Sequence, residues 1–207
     1  MDSSEGDGAQ YDPAISDDGR YVVFGSTSSN LVSGITTGTT VGNIFRRDTQ
    51  TNSTIRISVA TDGAESDEHS YDPVISNDGR YIAFYTTATT LVDWDTNSKR
   101  DIFLHDVQTA TTKRISLATS SVGGDKSSGN RPAISADGRY VAFSSSATNL
   151  VADDTNFSSD VFVRDMLTGL VRRVSVASDG TQGDNSSYPP AYRGTAVMWF
   201  LLLARAI

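Results

Sequence analysis

Two short acidic loops contain the residues best suited to chemistry in this chain. In each loop Asp, Asn and Asp follow one another with the spacing D-x-N-x-x-x-D, and the six side chains are Asp95, Asn97, Asp101, Asp154, Asn156 and Asp160. Carboxylate and amide oxygens on a short loop are ligands that calcium prefers, together with backbone carbonyls and water. The spacing therefore predicts a calcium site in each loop, although neither loop has the turn glycine or the distal glutamate of an EF-hand.

A purely structural interpretation of these loops stays open beside the metal. Asp and Asn at such positions also form Asx-turns and begin strands without any ion. The corresponding earlier stretch, residues 34–43, has no carboxylate, so no metal is predicted there. Trp94 lies inside the first acidic loop. Its indole is predicted either to contact a ligand or to anchor the loop by packing.

The composition narrows the classes of partner. The chain has 207 residues, 25 acidic against 17 basic, and a formal net charge of −8. Such a charge disfavours the phosphate backbone and anionic membranes, so neither nucleic acid nor membrane insertion is expected. Without cysteine there is no disulfide and no cysteine-bound zinc. Residues 1–10 show no signal peptide, and the apolar run at 196–204 is shorter than the roughly 20 residues of a membrane-spanning helix.

The loops belong to a repeat with a period near sixty residues. Tyr-Asp-Pro-Ala-Ile-Ser at 11–16 returns as Tyr-Asp-Pro-Val-Ile-Ser at 71–76 and as Asn-Arg-Pro-Ala-Ile-Ser at 130–135, and a decayed copy begins at 188. The prolines of the four copies are 60, 59 and 58 residues apart. A fixed period of this length indicates successive copies of one supersecondary unit.

Each copy predicts four β-strands. Asp-Gly-Arg at 18–20, 78–80 and 137–139 stands between two β-prone runs and predicts a tight hairpin, because glycine adopts positive φ at little cost. The run that follows, as at 81–84, is apolar at successive positions, which indicates a strand covered on both faces. A third run ends in Arg-Asp or His-Asp, and a fourth alternates apolar and polar residues as an outer, half-exposed strand does.

Repeated units of four antiparallel strands predict an all-β protein of the β-propeller class, since a sandwich gives no reason for the period. The predicted units are the tail of an inter-blade linker at 1–10, blades at 11–70, 71–129 and 130–187, and a partial fourth blade with an atypical apolar tail at 188–207. Propellers close with about four to eight blades. About three and a half blades therefore predict a partial propeller, or a ring that a second copy completes in a homodimer.

Other repeated or reactive residues are predicted to have structural roles. Tyr21, Tyr81 and Tyr140 hold one repeat position and are expected to pack between blades. His105 holds the position of Arg47 and Arg164, which favours a polar surface role. Linker acids recur as turn formers or ligand contacts, at Asp7, Asp67, Asp125 and Asp184. With no G-x-S-x-G elbow, P-loop or H-E-x-x-H motif, no catalytic residue and no enzymatic activity are predicted.

One repeated phrase carries a resemblance to a known family. Pro-Ala-Ile-Ser-x-Asp-Gly-Arg-Tyr-Val-x-Phe, then a strand ending in Phe-Val-Arg-Asp, then Thr-Gly and Arg-Val-Ser, resembles the WD40-like propeller repeats of the TolB type over residues 11 to about 191. The resemblance implies a noncatalytic binding or scaffold module that presents loops to a protein or glycan partner, in the periplasm or outside the cell. Two alternatives stay open: the propeller portion of a larger hydrolase or polysaccharide lyase, and a truncated fragment without independent function.

Overall fold

Three four-stranded antiparallel sheets make up the part of the chain that the computed structural model describes, residues 5–36 and 40–187. The first sheet contains β1 (Gln10–Ile15), β2 (Tyr21–Ser26), β3 (Asn43–Asp48) and β4 (Ser53–Arg56). The second contains β5 (Ser70–Ile75), β6 (Tyr81–Thr86), β7 (Asp101–Asp106) and β8 (Thr111–Arg114). The third contains β9 (Ser128–Ile134), β10 (Tyr140–Ser145), β11 (Asp160–Asp165) and β12 (Val171–Arg173).

The sheets confirm the prediction of propeller blades with four antiparallel strands each. Strands follow one another in sequence order within every sheet, so each strand pairs with its chain neighbours. The partial fourth blade predicted at 188–207 lies outside the described residues. Among the residues described, no helix is long and apolar enough to cross a membrane.

The Asp-Gly-Arg turn builds the first hairpin of each blade, as predicted. In the first blade Gly19 has φ of 71°, and its N–H donates to the Ser16 carbonyl at 2.9 Å. Asp18 accepts hydrogen bonds from the Ser16 hydroxyl at 2.6 Å and from the Arg20 N–H at 3.0 Å. The Arg20 guanidinium then binds Asp48 at the end of β3 at 2.8 Å, and the other two blades repeat this ion pair. One tripeptide thus ties three strands together.

The two larger clusters of the hydrophobic core lie between blades, and a smaller one lies on the third blade alone. Ile82 and Phe84 of β6 pack against Val23 of the first blade, whereas Ala83 of the same strand packs against Val141 of the third blade. Successive residues of β6 therefore face opposite neighbours, which explains why the second strand is apolar on both faces. The prediction of a strand covered on both sides is confirmed for β6 and β10.

A tyrosine seated on a glycine joins each described blade to the next. A Cβ atom placed on Gly79 would lie 2.0 Å from the Tyr21 ring, and one placed on Gly138 would lie 2.1 Å from the Tyr81 ring. Any side chain at these glycines would therefore overlap an aromatic ring of the preceding blade. The predicted packing of the repeated tyrosines between blades is confirmed for Tyr21 and Tyr81.

Candidate functional site

The first acidic loop folds onto an arginine of the outer strand. Asp95 and Asp101 approach Arg114 of β8, with Oδ1 of Asp95 3.0 Å from Nη1 and Oδ2 of Asp101 2.9 Å from Nη2. None of the three side chains is more than 2% exposed. Burial raises the pKa of both carboxyl groups, that of Asp101 to about 6, although the Ser116 hydroxyl donates to Asp101 and opposes the shift.

The second acidic loop repeats this arrangement with looser contacts. Oδ1 of Asp154 and Oδ2 of Asp160 lie 3.4 Å and 3.7 Å from Nη1 of Arg173. Gln182 compensates, because its amide donates to both carboxylates at 3.0 Å and 3.2 Å. A buried Arg–carboxylate cluster therefore occupies the same place in two successive blades.

In the first blade the equivalent arginine forms its ion pair with a different acid. Arg56 holds the repeat position of Arg114, but its partner is Glu65, at 3.0 Å. Glu65 pairs with Val59 in an isolated bridge, and Gly123 and Gln182 hold the equivalent bridge positions of the later blades. A Cβ atom on Gly123 would lie 2.7 Å from Nη2 of Arg114, so a side chain there would have to displace the guanidinium. Each blade thus neutralises one arginine at this position, fully buried in the second blade and partly buried in the first and third.

These contacts bear directly on the calcium prediction. The carboxylates that would bind the ion already face a guanidinium, and no group of three or more His, Asp or Glu side chains within residues 5–36 and 40–187 is arranged to hold a metal. Asn97 and Asn156 form the Asx-turns of the structural interpretation, accepting from the N–H of Lys99 at 2.8 Å and of Ser158 at 2.9 Å. Calcium binding stays a prediction from the sequence.

Trp94 covers the arginine cluster of the second blade. Cζ of Arg114 lies 5.8 Å from the centre of the indole ring, within the range of a cation–π contact. Half of the Trp94 surface remains exposed. The indole therefore packs as a loop anchor on one side and offers an aromatic surface on the other.

His105 is buried, which makes the prediction of a surface role wrong. Its Nδ1 lies 2.8 Å from the Thr112 hydroxyl, and burial lowers its pKa to about 4. The sequence aligned it with arginines, but Thr112 supplies a polar partner inside the blade edge. The half-exposed outer strand predicted for each blade is likewise wrong for Thr112 and Arg114, which are both buried.

Three of the linker aspartates bind a distant loop of the blade rather than forming a local turn. Asp7, Asp67 and Asp125 accept from the N–H and hydroxyl of Ser29, Thr89 and Thr148, respectively. The N–H distances are 2.7, 2.9 and 2.8 Å. These carboxylates therefore fasten the linker to the loop after the second strand, and the structural interpretation explains their recurrence.

Sequence reasoning missed a groove at the inner edge of the blades. The first strands β1, β5 and β9 lie against one another, and a cavity of about 400 Å³ opens between them. Asp12, Asp72 and Arg131 line this axial groove, together with the proline that follows each and with apolar residues such as Ile75. The repeated Tyr-Asp-Pro phrase was the signal that could have pointed here, because a repeated acid before proline marks a special backbone position.

Each of the three charged residues of the axial groove lies at a β-bulge in the first strand of its blade. Asp12, Asp72 and Arg131 have φ of 50°, 48° and 50°, and the pairing of each first strand with the second shifts register there. The Asp72 N–H donates to Asp12 at 3.5 Å, and the Arg131 N–H donates to Asp72 at 2.9 Å. Each carboxylate therefore contacts the bulge of the following blade, in a line that runs around the inner edge.

The groove is electronegative at its first two blades. Burial raises the pKa of Asp72, and the nearby charge of Asp12 raises it further. Behind these acids the rings of Tyr11, Tyr71 and Tyr85 form a row with centroid distances of 5.9 Å and 5.3 Å. The tyrosines do not line the cavity, but two carboxylates beside its apolar lining suit a cationic group carried on an apolar stem.

Comparisons with known structures agree with the blade architecture. The chain is similar to the β-propeller domain of the Trilobed protease from Pyrococcus furiosus, with 17% identity, a TM-score of 0.50, and coverage of 80% of this chain and 41% of that chain. It is similar to the tricorn protease, with 16% identity, a TM-score of 0.50, and coverage of 90% and 16%. TolB from Acinetobacter baumannii matches with 20% identity, a TM-score of 0.47, and coverage of 82% and 32%.

The fold is therefore that of a β-propeller. The chain spans less than half of each of these three structures. A search of protein-family models gives no match, and a search of curated proteins gives none either. At identities of 20% or less, the likeness concerns the fold alone.

Proposed function

We propose that this chain is a noncatalytic binding module whose axial groove accepts a basic segment of a protein partner. The observation that supports the proposal is the meeting of Asp12 and Asp72 at one bulge position in neighbouring blades, beside a cavity of about 400 Å³. Two carboxylates at one edge raise the cost of each other's charge, and a cation between them relieves that cost. Loops and edges held by a rigid scaffold are common places for binding.

The lining favours a protein over a glycan. Prolines and aliphatic residues such as Val74 and Ile75 form much of the wall, and Arg131 adds one cationic group at the third blade. An apolar wall with a few charged groups suits an extended peptide with basic and apolar side chains. A glycan would find few hydroxyl and amide partners among these residues.

The proposal includes a location for the protein and a second copy as a partner. We place the module in the periplasm or outside the cell, because the TolB-type repeats resemble those of proteins in these compartments. We also propose a second copy of the chain as one partner, because three described blades fall short of the four to eight that close a propeller.

A second candidate function is the propeller portion of a larger hydrolase or polysaccharide lyase. The structural likeness to the β-propeller domain of the Trilobed protease supports this candidate. The match covers 80% of this chain and 41% of that chain. In that case the axial groove would select the segment that reaches a catalytic domain elsewhere. Sequence adjoining these blades in the gene distinguishes the two proposals, because a hydrolase or lyase domain there favours the second.

The binding proposal is tested with a random peptide library displayed on phage and the whole chain as bait. We expect enrichment of peptides with lysine or arginine beside apolar residues. A synthetic copy of an enriched peptide should bind the Asp12→Asn, Asp72→Asn double variant at least tenfold more weakly, measured by calorimetry. Asp62→Asn, at an exposed linker position, is the matched control and should bind as the wild type does.

Three outcomes would contradict the proposal. No enrichment of basic peptides would remove its basis, and so would equal affinity of the wild type and the double variant. Selective binding to a glycan array, lost in the same double variant, would assign the axial groove to a glycan instead.

A further inference from the structure

Arg131 reverses the charge of the repeated bulge in the axial groove. The first and second blades have Asp12 and Asp72 at this position, whereas the third blade has Arg131. The proline that follows directly is present in all three blades, and so is the isoleucine three positions after the bulge residue. The third copy therefore keeps these residues of the strand but presents the opposite charge to the groove.

The backbone of the bulge does not favour an arginine. Arg131 has φ of 50°, close to the 50° of Asp12 and the 48° of Asp72. Asp and Asn adopt positive φ more readily than most side chains, because their short polar groups form local hydrogen bonds. Arginine offers no such local stabilisation. The conformation of the bulge therefore explains the two aspartates but not Arg131, and the groove that Arg131 lines offers the better explanation.

The Arg131 guanidinium adds a positive region to an otherwise acidic groove. Arg131 is exposed and lines the cavity beside Asp72. Its backbone N–H donates to Asp72 at 2.9 Å, but its guanidinium forms no ion pair with any of the described residues. Burial raises the pKa of Asp72, and the charge of Asp12 raises that pKa by more than the charge of Arg131 lowers it. The two aspartates therefore remain a negative region next to the guanidinium.

The spacing of the two regions suits an extended peptide. One aspartate side chain and one hydrogen bond span each step between neighbouring bulges, from Asp12 to Asp72 at 3.5 Å and from Asp72 to Arg131 at 2.9 Å. In an extended chain, side chains two residues apart point to the same side and are separated by about 7 Å. A base and an acid at this spacing would face neighbouring bulges. A guanidinium can bind such an acid through two parallel hydrogen bonds.

We propose that Arg131 determines the sequence specificity of the axial groove, which binds an extended segment with a basic side chain at Asp12 and Asp72 and an acidic side chain, two residues away, at Arg131. This inference rests on the proposed function and specifies the charge pattern of the partner. The same guanidinium disfavours a segment with a base at both positions, because like charges would meet at the third bulge.

The test repeats the selection from the random peptide library with the whole chain as bait, in the wild type and in Arg131→Asp. We expect the wild type to enrich peptides with a base and an acid two residues apart, and the variant to enrich peptides with a base at both positions. Aspartate is tolerated at this bulge, since Asp12 and Asp72 have nearly the same φ. Arg172→Asp is the matched control, because it makes the same charge change at an exposed position of β12 in the same blade. The control should enrich the wild-type pattern.

Calorimetry with a synthetic copy of a peptide enriched by the wild type, amidated at its carboxyl end, measures the contact itself. Replacing the acid of the peptide by Asn should weaken binding to the wild type about fivefold, as expected for an ion pair at an exposed site. The same replacement should leave binding to Arg131→Gln unchanged, because the partner of the acid is then already absent. Circular dichroism establishes that all variants are folded.

The outcomes distinguish failure of this inference from failure of the proposed function. Peptides that need Asp12 and Asp72 but show no preference for an acid, with equal affinity for the wild type and Arg131→Gln, would overturn the role of Arg131 alone. No enrichment of basic peptides would overturn the proposed function and the role of Arg131 with it. Binding that requires a free carboxyl end would overturn the acidic side chain and assign Arg131 to a terminal carboxylate.

Discussion

Removing Arg114 offers the strongest test of the buried arginine clusters. Arg114→Met keeps most of the side-chain volume but leaves Asp95 and Asp101 without their counter-charge, at side chains no more than 2% exposed. Breaking a buried ion pair from one side costs about 3–5 kcal/mol. The variant can relieve this cost by protonating one carboxyl group.

The cost of taking up that proton determines how much unfolding free energy Arg114→Met loses and how the loss depends on pH. At pH 7 the solution is about three pH units above the ordinary pKa of Asp. Protonating one carboxyl group there costs about 4 kcal/mol, at about 1.4 kcal/mol per unit. At pH 5 the same step costs about 1.5 kcal/mol. Burial already raises the pKa of Asp101 to about 6 with Arg114 in place. A raised pKa stabilises the fold at low pH and loses that contribution as pH rises, so the deficit is largest at pH 7.

Urea unfolding at pH 5, 6 and 7 measures the deficit, with Trp94 fluorescence as a local probe because the indole lies over Arg114. Arg56→Met is the matched control in the first blade, where the ion pair with Glu65 is partly exposed. We expect the control to lose about 1–2 kcal/mol with little pH dependence. Equal losses in both variants at every pH would refute the buried-charge reasoning. Adding Asp95→Asn and Asp101→Asn to Arg114→Met should recover most of the deficit at pH 7.

Three further predictions concern the blade contacts, acid stability and calcium. Gly138→Ala should lower the free energy of unfolding in urea by at least about 2 kcal/mol more than Gly19→Ala does. Both glycines have positive φ, but only Gly138 of the two lies against a tyrosine ring. Equal losses would contradict the packing of Tyr81 on Gly138. Asp106→Asn should cost about 1–2 kcal/mol at pH 7 and little once the pH falls below about 2, since the Arg80 guanidinium lowers the Asp106 pKa to about 2 and the contribution is lost as pH falls through that value. A pH-independent cost would contradict the ion pair. If calcium binds, it should raise the melting temperature, and Asp95→Ala with Asp154→Ala should abolish that rise; equal melting with calcium and with chelator would exclude the metal.

The blade architecture was predictable because its causes are local and repeated. Gly19 and its equivalents make a hairpin wherever Asp-Gly-Arg stands between β-prone runs. The alternate residues of β6 face different blades, so the apolar run at 81–84 indicated cover on both sides before any contact was known. Three copies of the same local pattern then left few architectures other than a propeller.

The site was less predictable because its contacts join distant parts of the chain. Asp95 and Arg114 are 19 residues apart, and nothing in the loop sequence distinguishes a carboxylate that awaits calcium from one that faces a guanidinium. Asp12 and Asp72 are 60 residues apart and meet only because the first strands converge on the axis. His105 looked like a surface residue because its repeat equivalents are arginines, whereas Thr112 provides it with a buried partner.

The repeats themselves contain a signal for the arginine clusters that does not depend on contacts. Arg56, Arg114 and Arg173 hold one position, whereas the acids that accompany them hold equivalent loop positions in the second and third blades and a different position in the first. The first blade has Glu65 where the second has Gly123, and it lacks the loop carboxylates that the second provides. In the third blade Gln182 holds this place and donates to both loop acids, so the place accepts an acid, a glycine or an amide while the arginine keeps a carboxylate partner. The arginine is thus the constant member of the cluster, and the change of acid between the first and second blades favours an internal ion pair at this position.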